Sequence, residues 1–201
     1  MKARIVSLSE AYDMAYEISH QILQSGGQFD VVVGISRGGL PPSRIICDFL
    51  NIKTLTSIQI RHYESGGKTR DELMISDPVN INLQNKHVLI ADDVNDSGKS
   101  LKAAYENIKG LKPAGLKTAV LHEKSTTSFK ADYTGSVLSE WKWLIYQWAV
   151  TEDLIEFLDR EKMLDAGEED AIRHLEEQYD LTVDRGLLKK VLSMKENYTE
   201  R

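Results

Sequence analysis

The 201 residues contain a single cysteine, Cys47, so no internal disulfide can form and a reducing cytoplasm is the natural setting. No apolar run approaches the ~20 residues that cross a bilayer. The start, MKARIVSLSEAYDM, has too few apolar residues to read as a signal peptide. The chain also lacks a basic stripe. Residues 151–201 carry 15 Asp and Glu against 8 Lys and Arg, a net of −7, leaving 16 acids and 17 bases over 1–150. An acidic end beside a near-neutral body argues against nonspecific nucleic-acid binding. We therefore expect a cytoplasmic protein with no nucleic-acid and no membrane partner. Cys47 lies in a helix-like run, RIICDFL, and reads as a buried structural thiol rather than a nucleophile.

What remains is an ordinary globular composition, 41% hydrophobic and 28% charged. Its length suits one domain with an appendage. Ser7-Leu8-Ser9-Glu10 is a capping-box pattern, followed by Ala11, Met14, Ala15, Ile18 and Ile22 at helical spacing. Phe29 to Gly34 and His87 to Ala91 are continuous apolar runs of the kind found in strands buried on both faces. Thr54 to Ile60 and Leu116 to His122 read as further strands, with one helix from the end of the loop ISRGGLPP through about Leu50 and another over Lys99 to Ile108. Residues 61–78 are polar and carry two glycines, so a long mobile loop is expected there. Strands alternating with helices predict a mainly parallel, twisted α/β sheet flanked by helices. Beyond 150 the pattern turns helical, over 152–161, over 168–179 and after Asp184, which can cap the last helix. We expect one domain over 1–150 and a small C-terminal helical extension over 151–201.

The stretch VLIADDVNDSGKSL, residues 88–101, carries the chemistry. Its Gly98-Lys99-Ser100 suits the end of a nucleotide-binding P-loop. That motif requires glycine five places earlier, where Asp93 stands, and a carboxylate there would repel the phosphate. A Walker-type kinase or ATPase is therefore disfavoured. An apolar strand running into a small-residue turn and a helix start still gathers an anion at backbone N–H groups. Ser97, Gly98, Lys99 and Ser100 suit a terminal phosphate, and Asp92 and Asp93 can accept bonds from a ribose diol. Three acids, with Asp96, exceed what capping one helix needs. Earlier, Gly34-Ile35-Ser36-Arg37-Gly38-Gly39 places small residues and a guanidinium at a helix mouth, which suits a diphosphate. The 61–78 segment, with Arg61, Tyr63, Lys68 and Arg70, is placed to close over such a site.

In these two motifs the chain resembles the type I phosphoribosyltransferases. VLIADDVNDSGKS matches their signature of an apolar strand, two acids, two apolar residues and Asp-Ser/Thr-Gly, with Asn95 departing from the usual apolar fourth position. GISRGGLPP looks like their diphosphate loop. The resemblance covers about residues 5–150 and implies the type I phosphoribosyltransferase fold. It implies transfer of phosphoribose from 5-phosphoribosyl-1-diphosphate with release of pyrophosphate, and Mg²⁺ held by Asp92 and Asp93 directly or through water. Ser36, Arg37 and Gly38 would then meet the diphosphate, and Ser97, Gly98, Lys99 and Ser100 the 5′-phosphate. Asp96 would handle the base proton, and Arg37 would neutralise the departing charge.

The likeness is greatest to archaeal and bacterial purine enzymes. These carry a lysine after the signature helix, which HEKS supplies as Lys124, and an aromatic in a stretch like W-I-x-x-P-W-E. Here Trp143 would stack on the purine and the Leu144 backbone would meet its edge, although WKWLIYQW read alone is most often core strand. The Pro-Trp-Glu becomes Gln147-Trp148-Ala149, so an acid is missing at Ala149, with Glu152 or Asp153 as replacements. Adenine and a 6-oxopurine stay open, and a homodimer is expected. The rivals are a pyrimidine phosphoribosyltransferase and a non-catalytic nucleotide or RNA-binding regulator of the same fold.

Overall fold

The computed structural model describes residues 1–65 and 68–199; the side chains of 62–65, 68–72 and Thr199 lie outside this description. Chain contacts group Ser9–Glu140 into one compact unit and Met1–Leu8 with Trp141–Arg201 into another. This grouping differs from the boundary at 150 that the change in composition indicated.

In the larger unit, β2 (Val31–Ser36), β3 (Thr54–Ser65), β4 (Lys68–Asp77), β5 (His87–Asn95), β6 (Gly115–Lys124) and β7 (Tyr133–Leu138) form one sheet. Its order is β4-β3-β2-β5-β6-β7. All neighbours are parallel except β3 and β4. The β2, β5 and β6 runs are apolar because both sheet faces are covered. Val31, Val33, Ile90 and Val120 join a core with Leu101, Ala104 and Ile108 of α3 (Lys99–Gly110). Their alternates Val32, Leu89 and Leu121 are also buried. The apolar positions of α1 (Leu8–Gln24) read from helical spacing are all buried. Helix α2 (Leu40–Phe49) follows β2 with prolines in its first turn, where no N–H partner is lost. Cys47 is a buried free thiol of α2, raised in pKa by burial.

The expected loop over 61–78 is corrected: it is an antiparallel pair, β3 extended past Ile60 against β4, with Arg61 paired to Met74. Gly66 and Gly67 fall outside the described residues, as do the side chains of Tyr63, Lys68 and Arg70. An edge hairpin needs no buried apolar run, so its sequence reads as loop.

In the smaller unit, β1 (Ala3–Val6) pairs in parallel with β8 (Trp143–Tyr146). Helices α4 (Val150–Arg160), α5 (Glu168–Tyr179) and α6 (Arg185–Leu192) pack Leu154, Phe157, Leu158, Leu175 and Leu188 into their own core. The Phe157 and Tyr179 rings stack at 4.2 Å. As expected, Asp184 caps α6, its side chain accepting from the Leu187 N–H. A single turn, α7 (Glu196–Thr199), ends the described chain. Among the described residues, no helix is long and apolar enough to cross a membrane.

Candidate active site

Because β2, β5 and β6 run parallel and adjacent, their carboxyl ends open on one edge of the sheet. That edge is where an open α/β sheet binds ligands. It collects Ser36 at the end of β2 and Arg37 after it, Asp92 and Asp93 on β5, the turn from Asp96 to Ser100, and Lys124 at the end of β6.

The first two loops are pressed together. A Cβ on Gly38 would collide with the Asp93 carboxylate. One on Gly39 would sit 2.5 Å from the Ala91 carbonyl oxygen. Only glycine lets the backbone approach this closely. Ser43 closes the α2 side, its hydroxyl donating to the Gly39 carbonyl at 2.6 Å. Ser36 is half-buried and Arg37 exposed at the mouth.

The acids of β5 differ among themselves. Asp92 is 9% exposed and accepts the Asp93 N–H at 3.0 Å. Burial, and then the charge of Asp93, push the Asp92 carboxyl well above the usual carboxylate range. Asp93 is half-buried. The N-cap of α3 is Gly98, which brings no side chain to cap the helix. Gly98 has φ +86, a conformation that glycine adopts without strain. Across this turn Ser97 Oγ accepts weakly from the Lys99 N–H at 3.4 Å. Ser100 is half-buried and Lys99 exposed.

Lys124, buried at its strand end, puts Nζ 2.6 Å from Asp96 Oδ2. Two residues expected to serve the base separately are thus an ion pair. Trp143 and Leu144 belong to the other compact unit, on β8. The Trp143 ring is 37% exposed, and its Nε1 donates to Asp153 Oδ1 of α4 at 3.1 Å. Asp153, one of the two side chains considered as a replacement for the acid missing at Ala149, therefore holds the Trp143 indole. Leu144 is buried in β8, paired with Arg4.

The phosphoribosyl transferase domain family matches residues 4–153. The chain belongs to the phosphoribosyltransferase family. A xanthine-guanine phosphoribosyltransferase of Ruegeria sp. (strain TM1040) is 30% identical over 135 residues, spanning 65% of this chain and 74% of the relative. A hypoxanthine-guanine phosphoribosyltransferase of Aquifex aeolicus is 25% identical over 67% of this chain and 74% of its own. A crystal structure of a purine phosphoribosyltransferase from Pyrococcus horikoshii Ot3 superposes with a TM-score of 0.65 at 28% identity. It covers 74% of this chain and 95% of its own. The type I fold expected from the two motifs is therefore the fold observed. The family match also spans both compact units, from β1 through the first turn of α4.

Sequence reasoning missed the partners of Asn95. Its side chain is buried and bonded to Glu123, Thr127 and the Phe129 carbonyl. The signal was present, a polar residue where the resemblance places an apolar one.

Proposed function

We propose that the chain transfers phosphoribose from 5-phosphoribosyl-1-diphosphate to a 6-oxopurine, releasing pyrophosphate. One observation carries the reading: a glycine-lined loop, a carboxylate pair, a phosphate-type turn and the Asp96–Lys124 pair share one sheet edge. The xanthine-guanine and hypoxanthine-guanine relatives supply the substrate class.

Asp92 and Asp93 accept bonds from the ribose hydroxyls, and the N–H groups and hydroxyls of Ser97 to Ser100 receive the 5′-phosphate. Ser36, Arg37 and Gly38 receive the diphosphate. The bond from the anomeric carbon to the diphosphate oxygen breaks as a purine nitrogen bonds to that carbon, and the nitrogen's proton passes to Asp96. Arg37 steadies the charge that leaves with pyrophosphate. Lys124 offers donors only, which suits a carbonyl O6 rather than a 6-amino group. The family resemblance would add a flat face for the base from Trp143 and an edge contact from the Leu144 backbone, both residues of the smaller unit.

Mg²⁺ fits this donor set as a substrate-chelated ion. Among the described residues no three acidic, His or Cys side chains cluster as a protein cage. The pair Asp92 and Asp93 matches the one or two carboxylates that such an ion takes when substrate oxygens complete its shell. Bound there, it would neutralise diphosphate charge.

Supplying the full chain with 5-phosphoribosyl-1-diphosphate, Mg²⁺ and each of hypoxanthine, guanine, xanthine and adenine tests this. Pyrophosphate release with 6-oxopurines is expected. Turnover with adenine alone would overturn the base assignment, and turnover with none would overturn the function.

A further inference from the structure

Asn95 and Glu123 are register partners on the parallel strands β5 and β6, each the residue immediately before a member of the Asp96–Lys124 pair. Both are almost fully buried, at 3% and 6% exposure. Two polar side chains in such a place are costly unless every group is bonded. Here they are. Asn95 Nδ2 donates to Glu123 Oε2 at 3.1 Å and to the Phe129 carbonyl at 2.7 Å. Asn95 Oδ1 accepts from Thr127 Oγ1 at 3.2 Å. Glu123 Oε2 also accepts the Ala131 N–H at 2.7 Å.

Three of these bonds reach the segment that joins β6 to β7, and that segment is what the phosphate-type turn rests on. Ser128 donates twice to the Ser97 carbonyl, from N at 3.2 Å and from Oγ at 2.8 Å. A Cβ on Gly98 would lie 2.6 Å from the Phe129 nitrogen and 2.8 Å from Thr127 Oγ1, so the segment abuts the turn directly. An apolar residue at 95 would leave Glu123, Thr127 and the Phe129 carbonyl each short of a bond they now make.

We propose that Asn95 and Glu123 are positioning residues, which hold the 127–131 segment against the Asp96–Ser100 turn and so set the shape in which that turn receives a phosphate. The inference rests on the phosphate role given to the turn under the proposed function. Neither side chain touches substrate. Their effect is carried by Thr127, Ser128 and Phe129.

The test compares Asn95→Leu, Thr127→Val and Glu123→Gln in the full chain. Two readouts are used: amide hydrogen exchange at residues 97–101 and 128–131, and affinity for 5-phosphoribosyl-1-diphosphate by calorimetry. Asn95→Leu should speed exchange in both segments but not in α1, and weaken the diphosphate substrate by about tenfold while the KM for the base holds. Thr127→Val keeps the volume and removes one bond, so it should do the same by about threefold, and it decides the matter if Asn95→Leu does not fold. Glu123→Gln retains an oxygen that accepts from both Asn95 and Ala131, so it should stay within about twofold of the parent. A purely structural network would lower the melting temperature with exchange in the turn and substrate affinity unchanged, and that result overturns the proposal. If the parent itself binds no 5-phosphoribosyl-1-diphosphate, the functional reading fails, while the exchange pattern still decides whether the network holds the turn.

Discussion

Lys124 Nζ sits 2.6 Å from Asp96 Oδ2, with the lysine side chain 5% exposed and the aspartate 45%. A buried ammonium is tolerable only beside such a carboxylate. The pair therefore behaves as one unit, half in the core and half in the site. Asp96→Asn should lower turnover by about 10²–10⁴ while 5-phosphoribosyl-1-diphosphate still binds. Lys124→Met should impair hypoxanthine and guanine more than adenine. Because each change disturbs the other's partner, the double variant should fall well short of the product of the two effects. Steady-state kinetics on the three variants measures this, and strictly multiplicative losses would mean that the two side chains act independently.

Asp92 and Asp93 should divide affinity from stability. Asp93→Asn removes a charged acceptor and should weaken 5-phosphoribosyl-1-diphosphate by roughly 1.5–3 kcal/mol, while Asp92→Asn, at a carboxyl pushed towards its neutral form, should weaken it less. Only Asp92 is buried against a like charge, so only Asp92→Asn should also raise the melting temperature. Calorimetric titration and thermal melts report the two quantities. Unchanged affinity in both variants would remove the pair from the ribose site.

The parts of the fold visible in the sequence are those where one physical demand dominates a stretch. Doubly covered strands demand unbroken apolar runs, so VVV on β2 and VLIA on β5 stood out. A cap demands a short acceptor, so Asp184 was legible alone. The parts that stayed hidden depend on distant partners. β1 has only four residues and exists because β8 lies beside it, some 140 positions away. β7 is half-buried except at Val137, which is exposed, and shows neither an apolar run nor clean alternation. In the site, residue types announced the acids and the glycine turn, but not that Lys124 would meet Asp96 or that Asp153 would hold Trp143. Those are facts of strand and helix placement. Asn95 was visible as an oddity, and its meaning waited on Glu123 across the sheet.

Cys47 offers a simple check on the α2 packing. It is the only thiol, and burial raises its pKa, which keeps it in the unreactive protonated form. Alkylation at pH 8 should be slow in the native chain and fast once denaturant is added. Rapid native labelling would show that the α2 face is open and would return Cys47 to the list of candidate nucleophiles.

Lys117 carries a pH dependence of the sheet edge. It donates to Asp132 at 2.6 Å, while Asp132 also accepts from the Thr118 N–H, tying β6 to the start of β7. That hydrogen bond and the Asp132 charge raise the Lys117 pKa. A raised lysine pKa means stability that is present below the unfolded value of about 10.4 and lost as the pH climbs through the folded one. The pair is half-exposed, so Lys117→Met should cost less than about 1 kcal/mol at neutral pH. The difference in melting temperature between parent and variant should hold from pH 7 to 9 and shrink as the pH passes about 10.4. A gap that widens with pH would contradict the sign.

The base site gives the last prediction. Trp143 is tethered through Nε1 to Asp153 and edged by Phe157 at 6.4 Å, so its ring is held by α4 and not by its own strand alone. If that ring stacks on the purine, Trp143→Ala should weaken every purine by a comparable factor, on the order of 1–3 kcal/mol as for base–aromatic stacking elsewhere. Trp143→Phe keeps a flat face but loses the Nε1 donor, so it should retain part of the affinity. Asp153→Ala leaves the ring and removes its anchor. It should therefore shift the tryptophan emission and raise the KM for the base, while leaving the affinity for 5-phosphoribosyl-1-diphosphate alone. Stacking is blind to the 6-substituent, whereas Lys124 is not. The two residues can thus be told apart by testing adenine and hypoxanthine on the same variants. Normal purine binding by Trp143→Ala would return WKWLIYQW to the core of the helical unit, where Ile145 already belongs.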